Sequence, residues 1–468
     1  MHFSIPDTQE FNDGNGSTYI GFNIHINGVF HCSVRYRQLH NLHEQLKKEF
    51  SSELVPSFPP KKLLPLSGGQ VEERRLLLEK YIQTLGQDPK LISSEIFVGF
   101  LLSAQQETAC EKKQERTLDI YLLNNYHIPL KVLSTDRTRQ VLTKACKHLN
   151  LPLLYIGYFS LFFIKREENG EITIIRKLQD FESPYISSKI YNDTSFRIVL
   201  RKSYWDSEYD NEIMKNPIAL NLLYIQTVFD IEKGWIICNK DIKTELAQLQ
   251  ACLDKHSYIE LARTLKYYGF IQFNPCYCDY PEPQTKVLLA AGGQELSLRI
   301  VGDGPFVKEG CFKVTRMRCW RITATHNKQN TAANSKCTGN PDLELSFEYL
   351  MSKDKLQWIT ITSEQAILMS VCLQSMVDEL LIKKNGDSRK ENTIKGNLVY
   401  MKRDGSSHSV CLDNPDVNPT QNHCNPSPKT QESFSIKKLQ EKFSTVSFKS
   451  GREFVENHAF EGIGDDDL

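Results

Sequence analysis

Several features that mark common classes of protein are missing from this 468-residue chain. Its Lys and Arg residues number 57, as do its Asp and Glu residues, so it lacks the excess positive charge of a bulk nucleic-acid binder. The longest apolar run, residues 153–164, falls short of the ~18 residues that span a bilayer and is interpreted as a buried strand. No basic segment followed by an apolar one opens the chain, so no secretory signal is predicted. Membrane contact is therefore expected to be peripheral.

The patterns of metal, redox and nucleotide sites are missing as well. Thirteen cysteines are scattered without a CxxC pair or a Cys/His ladder, and reduced thiols are the simplest interpretation. Gly302-Asp303-Gly304 lacks the third glycine of a dinucleotide site. Asp465–Asp467 is a weak candidate for a cation, because no turn glycine or further ligands accompany its carboxylates. The sequence therefore predicts no catalytic residue, cofactor or metal ion, and no enzymatic activity.

The most regular pattern lies between residues 343 and 384, in a chain long enough for two to four domains. Apolar and polar residues alternate from Leu343 to Tyr349, which predicts a half-buried strand, and residues 357–362 predict a second strand. Thr362-x-x-Gln365 has the spacing of a capping box, so we expect a helix from there to about Lys384.

That helix is apolar on more than one face. One stripe has the spacing of a core face: Ala366, Met369, Leu373, Met376 and Leu380. Further apolar residues lie outside it: Ile367, Leu368, Val371, Val377 and Leu381. Either the helix is buried on nearly every side or a partner covers its second face. A helix that closes a sheet beside an open strand edge forms a groove that can accept an extended peptide as an added strand.

A second constellation lies in the first hundred residues. Arg35-Tyr36, Lys61 after two prolines, and Arg74 at the start of a predicted helix supply guanidinium groups, a flat ring and a lysine. These are the groups that a phosphorylated inositol requires. Three leucines beside Lys61 and Lys62 would suit shallow insertion among lipid head groups: Leu63, Leu64 and Leu66.

The order Arg-Tyr, Phe-Pro-Pro-Lys and Glu-Arg-Arg-x-x-Leu-Glu-x-Tyr resembles the phox-homology (PX) domain, which binds phosphatidylinositol 3-phosphate. The resemblance covers residues 1–108. It implies that Arg35 holds the 3-phosphate, Tyr36 stacks on the ring, Lys61 meets the 1-phosphate and Arg74 meets the ring hydroxyls. Leu39 stands where many members have Phe, a change that should leave the lipid pocket undisturbed.

The rest of the chain follows the order of a FERM module, with a ubiquitin-like lobe, a helical lobe and a β-sandwich closed by a helix. The segments that carry this resemblance are YFSLF at 158–162, LRKSYWD at 200–206, DIEKGW at 230–235 and LMSKD at 350–354. Together with the PX motifs they resemble the PX-FERM sorting nexins. The predicted fold is thus α+β and multidomain, with the following FERM lobes: F1 at 112–205, F2 at 206–272 and a PTB-like F3 at 273–388.

That family binds NPxY and looser NxxY motifs in receptor tails through the F3 lobe. Carried over to this chain, the resemblance places the peptide against Trp320 on an edge strand, Leu350 at the end of the next strand and Val377 on the helix. We expect Trp320 to be exposed between Arg318 and Arg321, with a core position as the alternative. A polar insert at 326–340 is expected to be a mobile loop.

The residues after the F3 lobe are polar and rich in Asn, Ser and Pro, so 389–454 is predicted to be a disordered linker. The resemblance implies that the end of the chain, 455–468, docks on the Retriever part of the Commander assembly through Ile463, Gly464, Asp465, Asp466, Asp467 and Leu468. A PDZ ligand is the alternative for this tail. Asn457 and Phe460 have the spacing of an NxxY-like motif, and we hypothesise that this self-peptide occupies the groove until cargo displaces it.

The resemblance therefore implies a cargo adaptor on the cytoplasmic face of early endosomes, which spares receptors from lysosomal degradation by returning them to the plasma membrane. Its expected partners are phosphatidylinositol 3-phosphate membranes, receptor tails such as those of lipoprotein receptors and integrin β subunits, and Retriever. The alternative function is a membrane–cytoskeleton linker or a small-GTPase effector acting through the ubiquitin-like lobe, because one fold hosts many functions.

Overall fold

The computed structural model of the chain describes residues 1–12, 18–50, 54–62, 65–168, 170–191, 193–301, 308–325, 342–353, 355–385, 398–410, 412 and 446–448. The chain forms two compact units. The first contains Met1–Glu111 together with the described residues between 392 and 445, and the second contains Lys112–Glu391 together with 446–448.

The first unit begins with a small antiparallel sheet, in which β3 pairs with each of the other three strands. Its strands are β1 (Phe3–Ser4), β2 (Thr8–Asn12), β3 (Thr18–Ile26) and β4 (Val29–Arg35). Its first helices are α1 (Tyr36–Glu49), α2 (Gly68–Gln87), α3 (Pro89–Ile92) and α4 (Glu95–Thr108). Asn27 and Gly28 connect β3 to β4 with positive φ angles, as a tight hairpin turn requires. The apolar face of α1, which includes Leu39, is completely buried.

The second unit opens with a five-stranded mixed sheet in the order β6-β5-β9-β7-β8, where β5 and β9 are parallel. Its strands are β5 (Glu115–Tyr121), β6 (His127–Leu133), β7 (Phe159–Arg166), β8 (Ile172–Lys177) and β9 (Phe196–Lys202). Its helices are α5 (Thr138–His148) and α6 (Pro184–Ser188). The prediction that 153–164 is one buried strand is wrong for its first half. Leu153–Tyr158 forms a 3-10 helix in which the Leu153 and Leu154 side chains are exposed.

Four helices follow in the second unit: α7 (Asp210–Ile213), α8 (Pro217–Glu232), α9 (Lys240–Ala251) and α10 (Lys255–Arg263). Helix α8 begins where Asn216 accepts hydrogen bonds from the backbone N–H groups of Ile218 and Ala219 and where Pro217 presets the first helical φ. Buried residues of α8 and α10 join those of the five-stranded sheet in one apolar core, so this sheet and these helices pack as a single body.

The last part of the second unit is an antiparallel sheet followed by one long helix that packs on it. Its strands are β10 (Ile271–Gln272), β11 (Cys276–Cys278), β12 (Thr285–Gly292), β13 (Glu295–Ile300), β14 (Glu309–Lys313), β15 (Met317–Thr325), β16 (Asp342–Ser352) and β17 (Lys355–Thr362). The helix is α11 (Ala366–Asn385). The predicted strand, strand and helix between 343 and 384 are confirmed as β16, β17 and α11. The strands run in the order β14-β13-β12-β11-β17-β16-β15.

The chain itself covers part of the second face of α11. Met369, Leu373 and Met376 are fully buried on the face that meets the sheet. Further along α11, the Glu379 carboxylate accepts hydrogen bonds from the backbone N–H groups of Trp205, at 3.0 Å, and Asp206, at 2.7 Å. Of the additional apolar residues, Leu368 and Val377 are buried, whereas Ile367, Val371 and Leu381 are half-buried. Burial is therefore correct for part of the second face, and the rest of that face leaves room for a partner.

The predicted capping box at the start of this helix is wrong. The Gln365 side chain accepts a hydrogen bond from the Asn274 backbone N–H at 2.8 Å and donates one to the Ile174 carbonyl at 2.9 Å, so it joins neighbouring segments instead of capping the helix. The Ser363 hydroxyl accepts a hydrogen bond from the Gln365 N–H at 3.1 Å. The spacing was compatible with a capping box, but tertiary contacts use the same side chain.

Two pieces of the predicted disordered linker are ordered. β18 (Leu398–Met401) and β19 (Ser407–Val410) form a hairpin in the first unit, and β20 (Val446–Phe448) pairs in parallel with β15. Leu398 and Tyr400 are each 1% exposed, because they alternate with outward residues and pack on the first unit. The polar composition of 389–454 concealed this short amphipathic strand.

Candidate functional site

Arg35 lies where strand β4 gives way to helix α1. Its backbone N–H donates to Gln38 Oε1 at 2.8 Å, which fixes the first turn of α1. Its guanidinium carbon lies 4.0 Å from the centre of the Tyr19 ring, and Nη1 donates to the carbonyl of Arg403 at 2.8 Å. These two contacts fix the direction of the Arg35 side chain at the end of β4.

Tyr36, at the start of α1, and Arg74, on α2, come together although they lie on different helices. The Arg74 guanidinium carbon lies 4.2 Å from the centre of the Tyr36 ring, and the Tyr36 hydroxyl donates to the Pro59 carbonyl at 2.6 Å. Burial raises the pKa of Tyr36, and the charge of Arg74 acts in the opposite direction. Within the described residues, Arg74 Nη2 is buried without a hydrogen-bond partner. A buried guanidinium N–H beside a ring is well suited to a polar ligand.

The neighbouring Arg75 has a different role. Its guanidinium bonds to the Glu72 carboxylate at 2.6 Å and to the Ile5 carbonyl, and it lies 3.5 Å from Glu79. Arg75 therefore ties helix α2 to the start of the chain, and of these two adjacent arginines it is Arg74 that faces the predicted site.

The proline-rich loop is anchored by Phe58, whose ring packs against Tyr36 at 5.4 Å and Tyr81 at 4.8 Å. Lys61 follows in this loop with an exposed side chain, while Lys62 pairs with Glu73 at 2.8 Å. Of the leucines predicted to touch lipid, Leu66 is half-buried. Leu63 and Leu64 lie outside the described residues.

The second candidate site is the side of strand β15 that faces away from β16. One side of β15 pairs with β16, and on the other side Val446–Phe448 pairs in parallel with Ile322–Ala324. This edge lies beside α11, and Val377 on that helix is 7% exposed. Leu350 is half-buried near the end of β16, where it pairs with Leu356.

The prediction that Trp320 is exposed is wrong. Its side chain is 2% exposed, and its Nε1 donates to the Ser370 hydroxyl of α11 at 2.9 Å. The flanking arginines lie on the opposite face of the strand, where Arg318 pairs with Glu348 at 3.2 Å and Arg321 lies 4.6 Å over the Trp358 ring. Strand alternation separates Trp320 from Arg321, and the β-bulge between Met317 and Cys319 displaces Arg318 from the regular pattern, so Trp320 points inward although charged residues flank it.

Trp358, predicted only as part of the strand at 357–362, is an exposed aromatic residue of this lobe. It lies on β17 opposite Glu348, and 41% of its surface is exposed. Its place in the alternating pattern, one residue before the buried Ile359, is the signal that could have indicated an outward position.

The predicted partner-binding residues 463–468 and the self-peptide residues Asn457 and Phe460 lie outside the described residues. No cluster of three or more His, Cys, Asp or Glu side chains within the described ranges could hold a metal ion. In the same part of the chain, no helix combines the length and apolar character needed to cross a membrane.

Protein-family models match four successive parts of the chain. Residues 22–104 match the PX domain, and 116–205 match the F1 lobe of the sorting nexin 17/27/31 FERM domain. Residues 206–266 match the F2 lobe of the sorting nexin 17/31 FERM domain, and 269–381 match the sorting nexin 17 FERM C-terminal domain.

Curated relatives extend the match to the whole chain. Sorting nexin-17 of Danio rerio is 47% identical over 489 residues, covering 100% of both chains. The chain belongs to the sorting nexin 17 family. The Homo sapiens sorting nexin-17 is 46% identical over 484 residues, again covering 100% of both chains. Homo sapiens sorting nexin-31 is 35% identical over 384 residues, covering 82% of this chain and 86% of that protein. Among solved structures, a designed CISK-PX domain is 33% identical, with a TM-score of 0.20, covering 21% of this chain and 97% of that chain.

The predicted fold, a PX domain followed by three FERM lobes, is confirmed. Membership of this family identifies the protein as an endosomal sorting adaptor and not an enzyme. Its PX domain implies phosphoinositide binding and peripheral association with endosomal membranes, and its FERM module implies peptide or protein partners.

Proposed function

We propose that this sorting nexin binds phosphatidylinositol 3-phosphate through its PX domain and NPxY or NxxY receptor tails through its F3 lobe. In this proposal, Arg35 holds the 3-phosphate, Tyr36 lies against the inositol ring, Lys61 meets the 1-phosphate and Arg74 binds ring hydroxyls. The observation that carries the lipid site is the buried Arg74 Nη2, which has no partner within the described residues and lies beside the Tyr36 ring. An inositol hydroxyl would satisfy this donor.

Adjacent arginines provide a matched test of the lipid site. Arg74→Ala and Arg75→Ala each remove one guanidinium from the same turn of α2. The Arg75 guanidinium, however, already binds the Glu72 carboxylate and the Ile5 carbonyl. In full-length protein, Arg74→Ala should reduce binding to phosphatidylcholine vesicles that contain phosphatidylinositol 3-phosphate by about tenfold or more, the effect of losing a charged hydrogen bond. Arg75→Ala should lower the melting temperature instead. Equal binding of Arg74→Ala and wild type would contradict the proposed site.

For the peptide site, we propose that a receptor tail adds a strand to β15 and places its aromatic residue beside α11, near Leu350 and Val377. The pairing of Val446–Phe448 with Ile322–Ala324 supports this proposal, because it is an added strand on this edge. Peptide recognition at a sheet edge uses the same backbone groups.

Leu350 and its cross-strand partner Leu356 provide a matched pair for this test. Leu350→Asp puts a charge on the strand next to β15, whereas Leu356→Asp puts the same charge one strand further from that edge. We expect Leu350→Asp to weaken binding of an Asn-Pro-x-Tyr peptide at least about fivefold, since a carboxylate near an apolar contact is poorly solvated. Leu356→Asp should bind as wild type does. Equal losses in both variants, or in neither, would contradict the assignment.

We also propose that Ile463–Leu468 recruits Retriever, so that a cargo-bound adaptor on the membrane is linked to recycling. Two weak contacts on one membrane raise the effective concentration of each binding partner, so neither the lipid site nor the peptide site needs high affinity alone. Removal of residues 463–468 should abolish capture of Retriever while binding to vesicles and to the peptide stays unchanged. Retained capture would locate the partner site elsewhere in the chain.

A further inference from the structure

The hairpin β18–β19 is packed against the PX domain although nearly 300 residues separate it from α4. Gly99 on α4 is the point of closest approach. A Cβ built there would lie 3.0 Å from Leu398, 3.5 Å from Val410 and 3.6 Å from Leu412, all of them hairpin or hairpin-flanking residues. Gly99 is thus an opening in the α4 surface that the hairpin fills.

The hairpin is also tied to the PX domain by several hydrogen bonds. The Tyr400 hydroxyl donates to Glu107 at 2.8 Å, and the Arg403 N–H donates to the other oxygen of the same carboxylate at 2.8 Å. The Arg403 guanidinium donates to the Ser33 carbonyl and to the Thr108 hydroxyl, each at 2.6 Å. Gln45 pairs with the Val399 backbone in both directions, donating at 2.9 Å and accepting at 2.8 Å.

Hairpin residues contact Arg35 in two ways, directly and through Gln38. The carbonyl of Arg403 accepts a hydrogen bond from Arg35 Nη1 at 2.8 Å and another from Arg37. The second route runs through Gln38, whose Oε1 accepts from the Arg35 backbone N–H at 2.8 Å. The Nε2 atom of Gln38 lies 2.9 Å from the Met401 carbonyl and 3.0 Å from the Tyr400 hydroxyl. Both the backbone and the guanidinium of Arg35 are therefore oriented by hairpin residues.

The turn of the hairpin lets its backbone lie close to the Arg37 side chain. Gly405 has a φ of +96°, and a Cβ there would lie 3.2 Å from Arg37 Nη1. The Lys402 N–H donates to the Ser406 carbonyl at 2.7 Å, and the Gly405 N–H donates to the Lys402 carbonyl at 3.0 Å. A side chain at 405 would be strained by the backbone angle and would crowd the arginine.

We propose that residues 398–412 are a positioning element of the lipid site, so that the phosphoinositide-binding unit is the PX domain together with this hairpin. The inference rests on the proposed binding of phosphatidylinositol 3-phosphate at Arg35. A guanidinium that is oriented before the phosphate arrives loses less conformational freedom on binding. The chain that follows the F3 lobe thereby contributes to membrane recognition, and release of the hairpin weakens it.

Gly99→Leu in the full-length protein tests this directly, because its new side chain meets the hairpin and none of the proposed lipid-contacting residues. We expect faster amide hydrogen exchange at Val399 and Arg403, and about tenfold weaker binding to phosphatidylcholine vesicles that contain phosphatidylinositol 3-phosphate. Binding to vesicles with phosphatidylserine in its place should not change, whereas loss of folding would lower both. Val399→Ser is the control, since the Val399 side chain is exposed on the outer side of β18.

Tyr400→Phe provides a milder variant that keeps the ring in the core and removes only the hydroxyl that meets Glu107 and Gln38. It should weaken phosphatidylinositol 3-phosphate binding by about threefold, the effect of a single neutral hydrogen bond. The proposal would be overturned if amide hydrogen exchange in the hairpin of Gly99→Leu were as slow as in the wild type. It would also be overturned if Gly99→Leu bound the vesicles as tightly as the wild type or more tightly. Tighter binding would mean that the Arg403 carbonyl competes with the phosphate. Arg35→Ala serves as the reference, because retained binding in that variant would instead refute the proposed lipid site.

Discussion

The indole Nε1 of Trp320 donates a hydrogen bond to the Ser370 hydroxyl across 2.9 Å, with both side chains buried. This bond joins the edge strand β15 to helix α11 at the level where a peptide is proposed to bind. The spacing between strand and helix is consequently fixed by the core before any peptide is added. Trp320 thus shapes the groove from inside, and a peptide would meet the surface that it supports.

The first prediction follows from that burial. Trp320→Ala should lower the free energy of unfolding by about 3–5 kcal/mol, since it removes a large buried ring and leaves a cavity. Trp320→Phe should cost less, because it keeps most of the apolar contact. Chemical denaturation of both variants measures the difference. If Trp320→Ala were as stable as the wild type, the burial of Trp320 would be contradicted, and a surface position in direct contact with a peptide would be favoured.

The contact of α11 with residues 205 and 206 gives a second prediction. Glu379 is 8% exposed and accepts hydrogen bonds from the backbone N–H groups of Trp205 and Asp206. Glu379→Ala should destabilise the second unit by about 2–3 kcal/mol, because it leaves two backbone donors without their carboxylate. Amide hydrogen exchange at Trp205 and Asp206 should accelerate in parallel.

Lys383 provides the control for this experiment. It lies one turn further along α11 and pairs with Asp206 at 2.6 Å and Glu208 at 2.7 Å, but its side chain is half exposed. Exposed ion pairs contribute little to stability, so Lys383→Ala should change the melting temperature only slightly. A loss in Lys383→Ala equal to that in Glu379→Ala would show that overall charge, and not the buried carboxylate, holds the helix in place.

The third prediction concerns Asp230, which is buried on α8. Burial raises the pKa of Asp230 to about 6, while Arg201, 3.7 Å away, and Lys202 act in the opposite direction. An unfolded aspartate has a pKa of about 3.9, so between these values the folded protein holds one proton more than the unfolded chain. The contribution of Asp230 to stability is therefore complete below about pH 4 and is lost as the pH rises through about 6.

The side-chain carbon resonance of Asp230, followed by selective labelling and NMR, should titrate with a midpoint near pH 6. Asp254, an exposed carboxylate whose pKa is lowered by its hydrogen bonds to Ser257, should titrate well below that range and serves as the reference. A midpoint near 4 for Asp230 would show that the charges of Arg201 and Lys202 offset the effect of its burial on the pKa.

The sequence was sufficient for the order of the modules because motifs and periodic segments are local. The strand, strand and helix from 343 to 384 were readable from alternation and helical spacing alone. What failed depended on residues far away. Trp320 was predicted to be exposed because Arg318 and Arg321 flank it, but alternation puts Arg321 on the opposite face and a β-bulge between Met317 and Cys319 displaces Arg318. The role of Gln365 was decided by Asn274 and Ile174, which no local pattern connects.

The hairpin at 398–410 could not be predicted for a related reason. Its buried residues, Leu398 and Tyr400, make a pattern too short to stand out within a polar segment. Their burial depends on Gly99, which leaves room on α4, and on Glu107, which accepts hydrogen bonds from the hairpin. For the lipid site, the sequence was enough to predict that Arg35 and Arg74 bind the head group. The contact between Arg35 and the Arg403 carbonyl could be found only from the fold.

The last prediction separates two ways in which the chain could occupy its own peptide groove. The sequence suggested the self-peptide Asn457–Phe460, whereas the strand paired with Ile322–Ala324 is Val446–Phe448. Truncation after Thr445 removes both segments. Truncation after Ser450 removes Asn457–Phe460 and keeps Val446–Phe448. We expect truncation after Thr445 to raise the affinity for an Asn-Pro-x-Tyr peptide by about fivefold, the effect of removing a short competing strand held by backbone hydrogen bonds.

Truncation after Ser450 should leave most of that competition in place, because Val446–Phe448 remains beside β15. Calorimetric titration of both truncated proteins with the same peptide measures the difference. An equal gain in both would assign the competition to Asn457 and Phe460, and no gain in either would show that the edge of β15 is open to receptor tails without displacement of the chain's own residues.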